Sequence, residues 1–287
     1  NYDTAYIMRP PGRWTIKLRG NLSGAWIRTT GRNGEDQYHT EVESDFRGTL
    51  SMAVAYRGLG AAVALNPMKL AGKSQDYELN VNSYSNRFGF DIVFLSSKTY
   101  HGKASMNDEV TPIEKGAIRQ QALNVNLYYA FNSKRFSFPA AFSQSYLQRR
   151  SAGSFMVGAS FDGQITDIDA NETANQQPIN LKLMEIGIGA GYGYNLVAGK
   201  RWLFHLSLLP TFDFYIHSRL KENGERINLH YRFPSLITTG RGAAVYSWRN
   251  QFAVASLIYN YSVVGDRDQL QVRRSKWRLR FTYGFRF

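Results

Sequence analysis

Residues 275–287, SKWRLRFTYGFRF, alternate between two kinds of side chain. Every second residue from Trp277 to Phe287 is aromatic or leucine, and four of the six residues between Lys276 and Arg286 on the other parity are lysine or arginine. Because successive side chains of a β-strand point to opposite faces, this stretch predicts a strand with one apolar and one basic face. Such a strand fits a soluble sandwich, whose basic face meets water, or a membrane barrel, whose apolar face meets lipid.

The same alternation recurs along the chain and predicts about twelve strands. In the eighth strand, the inward positions of Gly187–Gly193 are all glycine, which permits sharp coiling or the close approach of another group. Pro234 is expected to interrupt the tenth strand. The predicted strands are Arg13–Arg28, Glu41–Tyr56, Leu59–Leu65, Tyr77–Tyr84, Arg87–Tyr100, Ile118–Phe131, Ser154–Thr166, Leu181–Asn195, Arg201–His217, Asn228–Ser247, Gln251–Val264 and Ser275–Phe287.

The connections between these strands alternate in length. Long polar segments follow the odd-numbered strands, including residues 29–40, 101–116 and 167–178, whereas the other connections are short turns, apart from a long one at 136–153. Outer-membrane barrels have short periplasmic turns and longer extracellular loops. The pattern therefore predicts an all-β fold: one transmembrane, antiparallel, up-and-down β-barrel domain over residues 1–287, with both termini periplasmic. Residues 1–12 would form a periplasmic lead, and residues 136–153 a long periplasmic connection.

Composition agrees with a barrel and excludes several other classes of protein. The 287 residues are 43% hydrophobic and 14% aromatic, yet no run of eighteen apolar residues exists, which excludes a transmembrane helix. The lack of cysteine excludes disulfides and thiol sites. The chain opens at Asn1 without methionine or an apolar segment, which we interpret as removal of a signal peptide. The net charge of +13 is spread over strands and turns, which favours outer-membrane lipids or an acidic protein as partner rather than nucleic acid.

Two parts of the chain resemble known outer-membrane proteins. The final aromatics Tyr283, Phe285 and Phe287 resemble the terminal strand of Gram-negative outer-membrane barrels, which implies recognition by the barrel-assembly machinery. The turn segment Phe142–Ser154, preceded by Phe138–Ala141, is similar to an outer-membrane barrel family of Bacteroidota whose function is not assigned. This resemblance implies the outer membrane of a diderm bacterium and carries over no catalytic residue and no cofactor.

Charged side chains are expected to line the lumen. The first, second and last strands are neighbours in a closed barrel, so the cations of the first and last should pair with the acids of the second. The alternatives are a lumen filled by ion pairs and a narrow, charge-lined channel. The predicted lumen network comprises Lys17, Arg19, Glu41, Glu43, Asp45, Arg47, Lys276, Arg278 and Arg280. Further inward charges by alternation are Glu78, Asp91, Asp162, Glu185, Asp213 and Arg286.

A second set of cations falls in or beside the predicted periplasmic turns, with no acid among them. A rim of one charge sign attracts anionic lipid or an acidic protein surface, although turn residues also serve solubility alone. Apolar residues within 136–153 favour the docking of a partner. The predicted rim comprises Arg57, Arg87, Lys134, Arg135, Arg149, Arg150, Lys200, Arg201 and Arg249, and the predicted aromatic girdle comprises Trp14, Trp26, Trp202, Trp277 and Phe287.

An enzyme site is a further candidate, because some outer-membrane barrels hydrolyse lipid esters with a serine and a histidine on the barrel wall. His205, Ser207 and Asp213 are expected to face inward on the ninth strand. Residues two apart on one face lie about 6.5–7 Å apart, which is too far for the hydrogen bond that a nucleophile needs. Ser160 would have to replace Ser207. The remaining histidines are scattered, so the sequence predicts no catalytic residue, no metal site, no cofactor and no enzyme.

These observations predict an integral outer-membrane barrel that acts as a non-catalytic accessory or scaffold subunit of an assembly, secretion or uptake complex. One alternative is a porin-like, narrow diffusion channel for small anionic solutes, which would show an open lumen in bilayer recordings. Another is a lipid-modifying enzyme, whose loss would alter lipid acylation.

Overall fold

The structure, a computed structural model, describes residues 2–33, 35–56, 59–65, 72, 76–107, 109–169, 179–222, 225–227, 235–266 and 270–287. Among these residues, no helix has the length and hydropathy needed to cross a membrane. The elements are β1 Ile7–Met8, β2 Trp14–Asn33, β3 Asp36–Glu43, β4 Arg47–Tyr56, β5 Leu59–Leu65, β6 Tyr77–Tyr84, β7 Phe88–Met106, β8 Glu109–Ala130, α1 Phe138–Phe142, β9 Leu147–Gln148, β10 Ala152–Ile168, β11 Ile179–Ala198, β12 Trp202–Glu222, β13 Glu225–Ile227, β14 Ser235–Trp248, β15 Gln251–Asp266 and β16 Leu270–Arg286.

Ten strands close into an antiparallel barrel. Their order around the ring is β2, β3, β7, β8, β10, β11, β12, β14, β15 and β16. The last strand returns to the first, with β16 paired to β2 from Arg286–Thr15 to Leu270–Gly31. Each of these ten strands thus pairs with a strand on both sides, which closes the barrel.

The predicted twelve strands differ from this ten-strand ring because the second predicted strand is two strands. β4 pairs with the first half of β2 and β3 with the second half. β3 then pairs directly with β7, whereas β5 adds to β4 and β6 adds to β7 outside the ring. The predicted number of strands, twelve, therefore exceeds the ten strands of the ring by β5 and β6.

Two segments that the sequence assigned to loops are strands. β2 continues to Asn33 and turns directly into β3, and β7 continues to Met106 before β8 begins at Glu109. These extensions carry polar residues on both faces, so the backbone ladder continues without the apolar alternation that marks a strand in the sequence. Asn107, with φ 47°, accepts from the backbone of Gln37 at 2.9 Å and holds the second turn. Arg57, residues 67–71 and 73–75, and Pro234 lie outside the described residues.

The outer surface of the barrel is apolar between two aromatic belts. Both termini lie at one end, the terminal end, where Trp14 and Trp202 contact tyrosines at ring-centroid distances of 4.8 Å. Trp26 lies twelve residues along β2 toward the opposite end of the barrel, which we call the loop end. For a strand tilted by roughly 40°, this places Trp26 about 30 Å from Trp14. Large residues between the belts, such as Phe155 and Leu206, are 72% and 73% exposed. Phe287 belongs to the terminal belt and Trp277 to the other. Such a surface is suited to lipid rather than water.

The connection predicted as a periplasmic loop is folded into the terminal end of the lumen. Ser137 caps α1 by accepting from the backbone of Ala140, and Pro139 stands in its first turn. Phe136 and Phe138 are fully buried against the inner wall. The wall residues that they and α1 contact include Tyr128, Met156, Leu203, Leu209, Val245 and Phe252. The sequence predicts that the apolar groups of this connection favour docking of a partner. In the structure they pack against the inner wall of the barrel instead.

The N-terminal lead closes over this connection. β1 pairs with β9 through Ile7–Gln148 and Met8–Leu147. Asp3 donates its backbone N–H to Lys134 at 2.8 Å, and Arg149 donates to Tyr6 at 2.7 Å. The lead, residues 2–12, and the connection, residues 131–151, thus form one body, which we call the plug.

Phe138→Ala should loosen the plug while leaving the barrel folded. The lost packing is worth about 3–5 kcal/mol for a buried phenylalanine, and it supports the plug more than the strand ladder. We expect faster hydrogen exchange and easier proteolysis within residues 131–151. Phe212→Ala is the matched control because Phe212 is 54% exposed on the outer face. Equal exchange in the two variants would contradict the packing role of Phe138.

Candidate functional site in the barrel lumen

A buried ion pair crosses the lumen from wall to wall. Arg241 on β14 donates to Asp91 on β7 at 2.8 Å, and these strands lie five positions apart in the ten-strand ring. Their side chains are 1% and 5% exposed. Tyr84 donates a second hydrogen bond to Asp91, and the guanidinium lies 5.0 Å from the centroid of the Tyr128 ring. The pair therefore joins opposite walls.

A second crossing is centred on Arg274 of β16. Its guanidinium donates to Glu185 of β11 and to Gln164 of β10 at 2.6 Å. Asp162 lies 3.5 Å away, and Ser262 accepts from Nε at 3.1 Å. One cation thus serves two carboxylates and two neutral groups, which compensates for its removal from water.

A third cluster lies on the β4, β6 and β7 side of the wall. Arg47 contacts Asp76 at 3.1 Å and Glu78 at 3.2 Å, and Lys276 lies 4.0 Å from Glu78. Asp76 also accepts from the hydroxyl of Ser97 at 2.8 Å. A cavity of about 70 Å³ lies beside Lys276 and the side chains around Arg274, with room for a few water molecules.

The predicted pairing of Glu41, Glu43 and Asp45 with lumen cations is wrong. Glu41 accepts from Arg28 at 2.8 Å, Glu43 lies 3.8 Å from His101, and Asp45 lies 2.7 Å from Lys115. The strand breaks at residues 44–46, and the inward parity changes there. Val42 is buried in β3 and Arg47 in β4, so continuous alternation placed the acids of β3 on the wrong face.

Cations on β2 and β16 line the wall beside the plug. Lys17 donates to the carbonyl of Ser143 at 2.6 Å, and Arg286 donates to the side-chain oxygen of Gln144 at 2.8 Å. Ser143 is the C-cap of α1, where backbone carbonyls lack helical partners, and Gln144 follows it directly. Arg280 donates to Asn21 at 2.6 Å. Arg19 and Arg278 stand on the same two strands. Lys17 and Arg286 thus hold the plug, and Arg280 a polar group of the wall, rather than the acids expected from the sequence.

Arg241 and Arg274 are central to the crossings, yet the sequence did not identify them. Arg274 shares the parity of Lys276 and Arg278, and extending the alternation by two residues would have found it. Arg241 left no such signal, because the outward positions of β14 are mostly small residues, which gives little apolar contrast.

A histidine-centred network ties the plug to the wall. His205 Nδ1 lies 2.7 Å from Asn195 Oδ1, and His205 Nε2 lies 2.9 Å from Ser207 Oγ. Asn195 also donates to the carbonyl of Ser137 at 2.9 Å and to Gln148 at 3.0 Å. All three wall residues are at most 4% exposed. The distance argument against a Ser207–His205 hydrogen bond is therefore wrong, because the long imidazole side chain spans the gap between the two backbone positions.

The terminal end presents a basic rim. Asp3, the acid that the described residues place there, lies 3.6 Å from Arg135. Arg9 and Arg13 of the lead add to the predicted set, whereas Arg57 lies outside the described residues. The exposed rim cations are Arg9, Arg13, Arg87, Lys134, Arg135, Arg149, Arg150, Lys200, Arg201 and Arg249. We keep the name basic rim for these ten residues.

A cavity of about 320 Å³ lies between the plug and the wall at this end. Its apolar lining includes Ala140, Leu203 and Val245, and its basic lining is Arg149, Lys200 and Arg201. No acid lines it. Elsewhere in the part of the chain that the structure describes, no group of three or more histidines and acids is placed to hold a metal ion.

The Arg241–Asp91 crossing should contribute strongly to stability. Arg241→Met leaves a buried carboxylate without its cation, which costs about 3–5 kcal/mol of unfolding free energy. The double variant with Asp91→Asn should recover part of this loss. Urea unfolding of the barrel in lipid vesicles, followed by tryptophan fluorescence, measures both. Arg28→Met is the control: its pair with Glu41 is exposed, so the loss should be under about 1 kcal/mol. Equal losses from Arg241→Met and Arg28→Met would contradict the crossing's role.

Three solved outer-membrane barrels show similarity over nearly the whole chain. The outer membrane protease OmpT from Escherichia coli is 7% identical, with 98% of each chain covered and a TM-score of 0.42. The outer membrane protein OprG from Pseudomonas aeruginosa is 10% identical, with 96% of this chain and 98% of that chain covered and a TM-score of 0.32. The toluene transporter TodX from P. putida is 9% identical, with 97% and 91% covered and a TM-score of 0.29. These values concern overall fold and assign no activity.

The prediction that the protein is not an enzyme is wrong. Its reasoning excluded a serine–histidine hydrogen bond on β12, and the structure contains that bond.

Sequence comparison gives the family directly. No curated protein matches the chain in sequence. A protein family described as a domain of unknown function, DUF4421, matches residues 1–287. The chain therefore belongs to the DUF4421 family.

Proposed function

We propose that this protein is an integral outer-membrane barrel, oriented with its terminal end in the periplasm, that serves as an accessory or scaffold subunit of an outer-membrane complex. The observation that carries this proposal is the basic rim: ten exposed cations surround a terminal end that is filled by the plug. A filled, charged surface of this kind suits docking of an acidic protein.

The orientation is supported by the connections at each end. At the terminal end, β2 and β12 begin at belt residues Trp14 and Trp202, and the turns between β11 and β12 and between β14 and β15 span two or three residues. At the other end, β2 continues seven residues past Trp26 before it turns. Outer-membrane barrels have short periplasmic turns and longer extracellular extensions. The apolar outer band and its two aromatic belts support residence in a bilayer, and the full-chain match to other outer-membrane barrels agrees with this location.

The lumen favours a scaffold over a diffusion channel. The plug fills the terminal end, and the Arg241 and Arg274 crossings bridge opposite walls above it. A barrel of this size conducts only if side chains leave its interior open. Fixed crossings also keep the barrel rigid, so the basic rim is presented in one geometry.

Site-specific photocrosslinking in cells tests the docking surface. A photoreactive residue in place of Lys134 or Arg249 should capture the same discrete protein, because both positions lie on the basic rim. The control position is Glu109, which is exposed at the loop end and should not capture it. Adding Arg149→Glu and Arg150→Glu should weaken capture, and high salt should do the same because it screens exposed charge.

Two results would count against this surface. One is the absence of any discrete product from Lys134 and Arg249 in correctly folded protein. The other is equal capture from Glu109, which would indicate contact unrelated to the rim.

Planar-bilayer recording tests the closed lumen. The purified barrel should give no steady single-channel openings, because the plug fills its terminal end and two crossings bridge its walls. Steady, ion-selective openings would instead support the diffusion channel. Removing the plug contacts of Lys17 and Arg286 by Lys17→Met and Arg286→Met would then show whether the plug limits the current.

A further inference from the structure

The histidine network has a defined direction of hydrogen bonding. Asn195 Nδ2 donates to two acceptors, the carbonyl of Ser137 and the side-chain oxygen of Gln148, so its Oδ1 faces His205. Gln148 is oriented by the backbone N–H of Ser137, which donates to the same oxygen at 3.1 Å. His205 Nδ1 must therefore carry the proton that Oδ1 accepts, and Nε2 is left as an acceptor. Ser207 then donates its hydroxyl proton to Nε2 at 2.9 Å.

This arrangement is that of an activated nucleophile. A serine, a histidine that accepts its proton and a third group that fixes the imidazole tautomer are the elements of nucleophilic acyl transfer. We propose that Ser207 and His205, positioned by Asn195, form a latent ester-hydrolase site that the plug holds closed.

The reaction balances with water as the only co-reactant. Ser207 Oγ bonds to the ester carbonyl carbon while its proton passes to His205 Nε2. The ester C–O bond then breaks, and the leaving alcohol takes the proton from His205. Water attacks the resulting acyl-serine in the same way, which releases the carboxylic acid and restores the serine hydroxyl.

The adjoining cavity indicates the class of ester. Gln148, the plug residue that holds Asn195, also lines the 320 Å³ cavity at the terminal end. This volume is within the range of small-molecule sites. Its apolar wall and its three cations suit an acyl chain that carries an anionic headgroup. The substrate is therefore an amphiphilic ester, either a phospholipid drawn from the bilayer or a soluble anionic ester.

The plug blocks access to Ser207 in the structure. Ser207 is 3% exposed. The rings of Phe136, Phe138 and Phe142 lie 5.9, 5.2 and 5.0 Å from the imidazole of His205. A substrate reaches the serine only when these rings move. Lys17 and Arg286 hold the far end of the plug and do not contact Ser207, His205 or Asn195, which we call the triad. Substituting Lys17 and Arg286 therefore loosens the plug and leaves the hydrogen bonds of the triad in place.

An alkyl fluorophosphonate tests the nucleophile directly, since it forms a covalent bond to an activated serine with loss of fluoride. The full chain in detergent micelles should react slowly. Lys17→Met/Arg286→Met and, separately, Phe138→Ala should react at least about tenfold faster, with the adduct mapped to Ser207 by mass spectrometry. Adding His205→Gln should lower this rate by about 100-fold or more, the scale of lost general-base assistance. Adding Asn195→Leu tests positioning: it should slow labelling at Ser207 while the fold is retained.

Ser160→Ala is the matched control. Ser160 is also a buried inward serine, but its hydroxyl contacts Thr211 at 3.2 Å rather than a histidine. Labelling should be unchanged in this variant and absent in Ser207→Ala. Folding of each variant is checked by the heat-dependent mobility of the barrel in gels, so that unfolded samples are not scored.

Two outcomes would overturn the proposal. One is that both plug-loosened variants fold and remain unlabelled at Ser207, which would make the network only a structural latch. The other is equal labelling of Ser160 and Ser207, which would show reactivity unrelated to His205. Hydrolysis of vesicle phospholipid and of a short-chain anionic ester that is soluble as monomers is then compared: turnover of the vesicle lipid alone identifies the bilayer as the source, and turnover of the soluble ester alone identifies solution.

Discussion

Arg241 and Asp91 face each other from opposite walls of the barrel, and the interior depends on pairs of this kind. A charge in a narrow lumen has lost most of its water, and its removal from solvent costs more than a single exposed contact returns. Arg241, Arg274 and Arg47 each meet one or more carboxylates, and Arg274 also donates to Gln164 and Ser262. The Arg241 and Arg274 crossings thus compensate for the desolvation of their buried charges, and they fix the distance between opposite walls.

The plug uses a different kind of packing at the other end of the same lumen. Side chains of α1 and its neighbours meet an apolar inner wall, and the glycines of β11 make room for them. A Cβ at Gly193 would lie 3.1 Å from the Phe136 ring, and one at Gly191 would lie 2.1 Å from the backbone oxygen of Leu208. The row of glycines therefore allows both the tight approach of β12 and the seat of the plug. Polar contacts from Lys17, Arg286 and Asn195 then fix the plug in register.

The scaffold role and the latent hydrolase site draw on the same plug. In the first, the plug is a rigid floor beneath a basic rim; in the second, it is a cover over Ser207. The two roles are compatible because the basic rim does not include Ser207, His205 or Asn195. A partner that binds the rim contacts Arg149, which lines the cavity beside the triad-linked Gln148. Docking and opening of the cover are thus physically adjacent.

The sequence by itself determined the strand alternation, the lipid-suited outer face, the belts at Trp14 and Trp26, and the basic character of the turns. These follow from local rules, since the parity of a side chain in a strand is set by its immediate neighbours. It determined inward placement for Lys17 and Asp91 for the same reason. It failed for Glu41 and Glu43, because the break at residues 44–46 changes the parity and leaves no mark in the pattern of polar residues.

Only the tertiary structure decided which charges meet, that residues 131–151 enter the lumen, and that His205 reaches both Asn195 and Ser207. Partners across the lumen are far apart in sequence, 150 positions for Arg241 and Asp91. Their meeting depends on the register and number of strands in the closed ring. The alternation of side chains along one strand gives neither the register nor the number of strands. The hydrogen bond from Ser207 to His205 depends on side-chain rotamers, which backbone spacing along a strand does not fix.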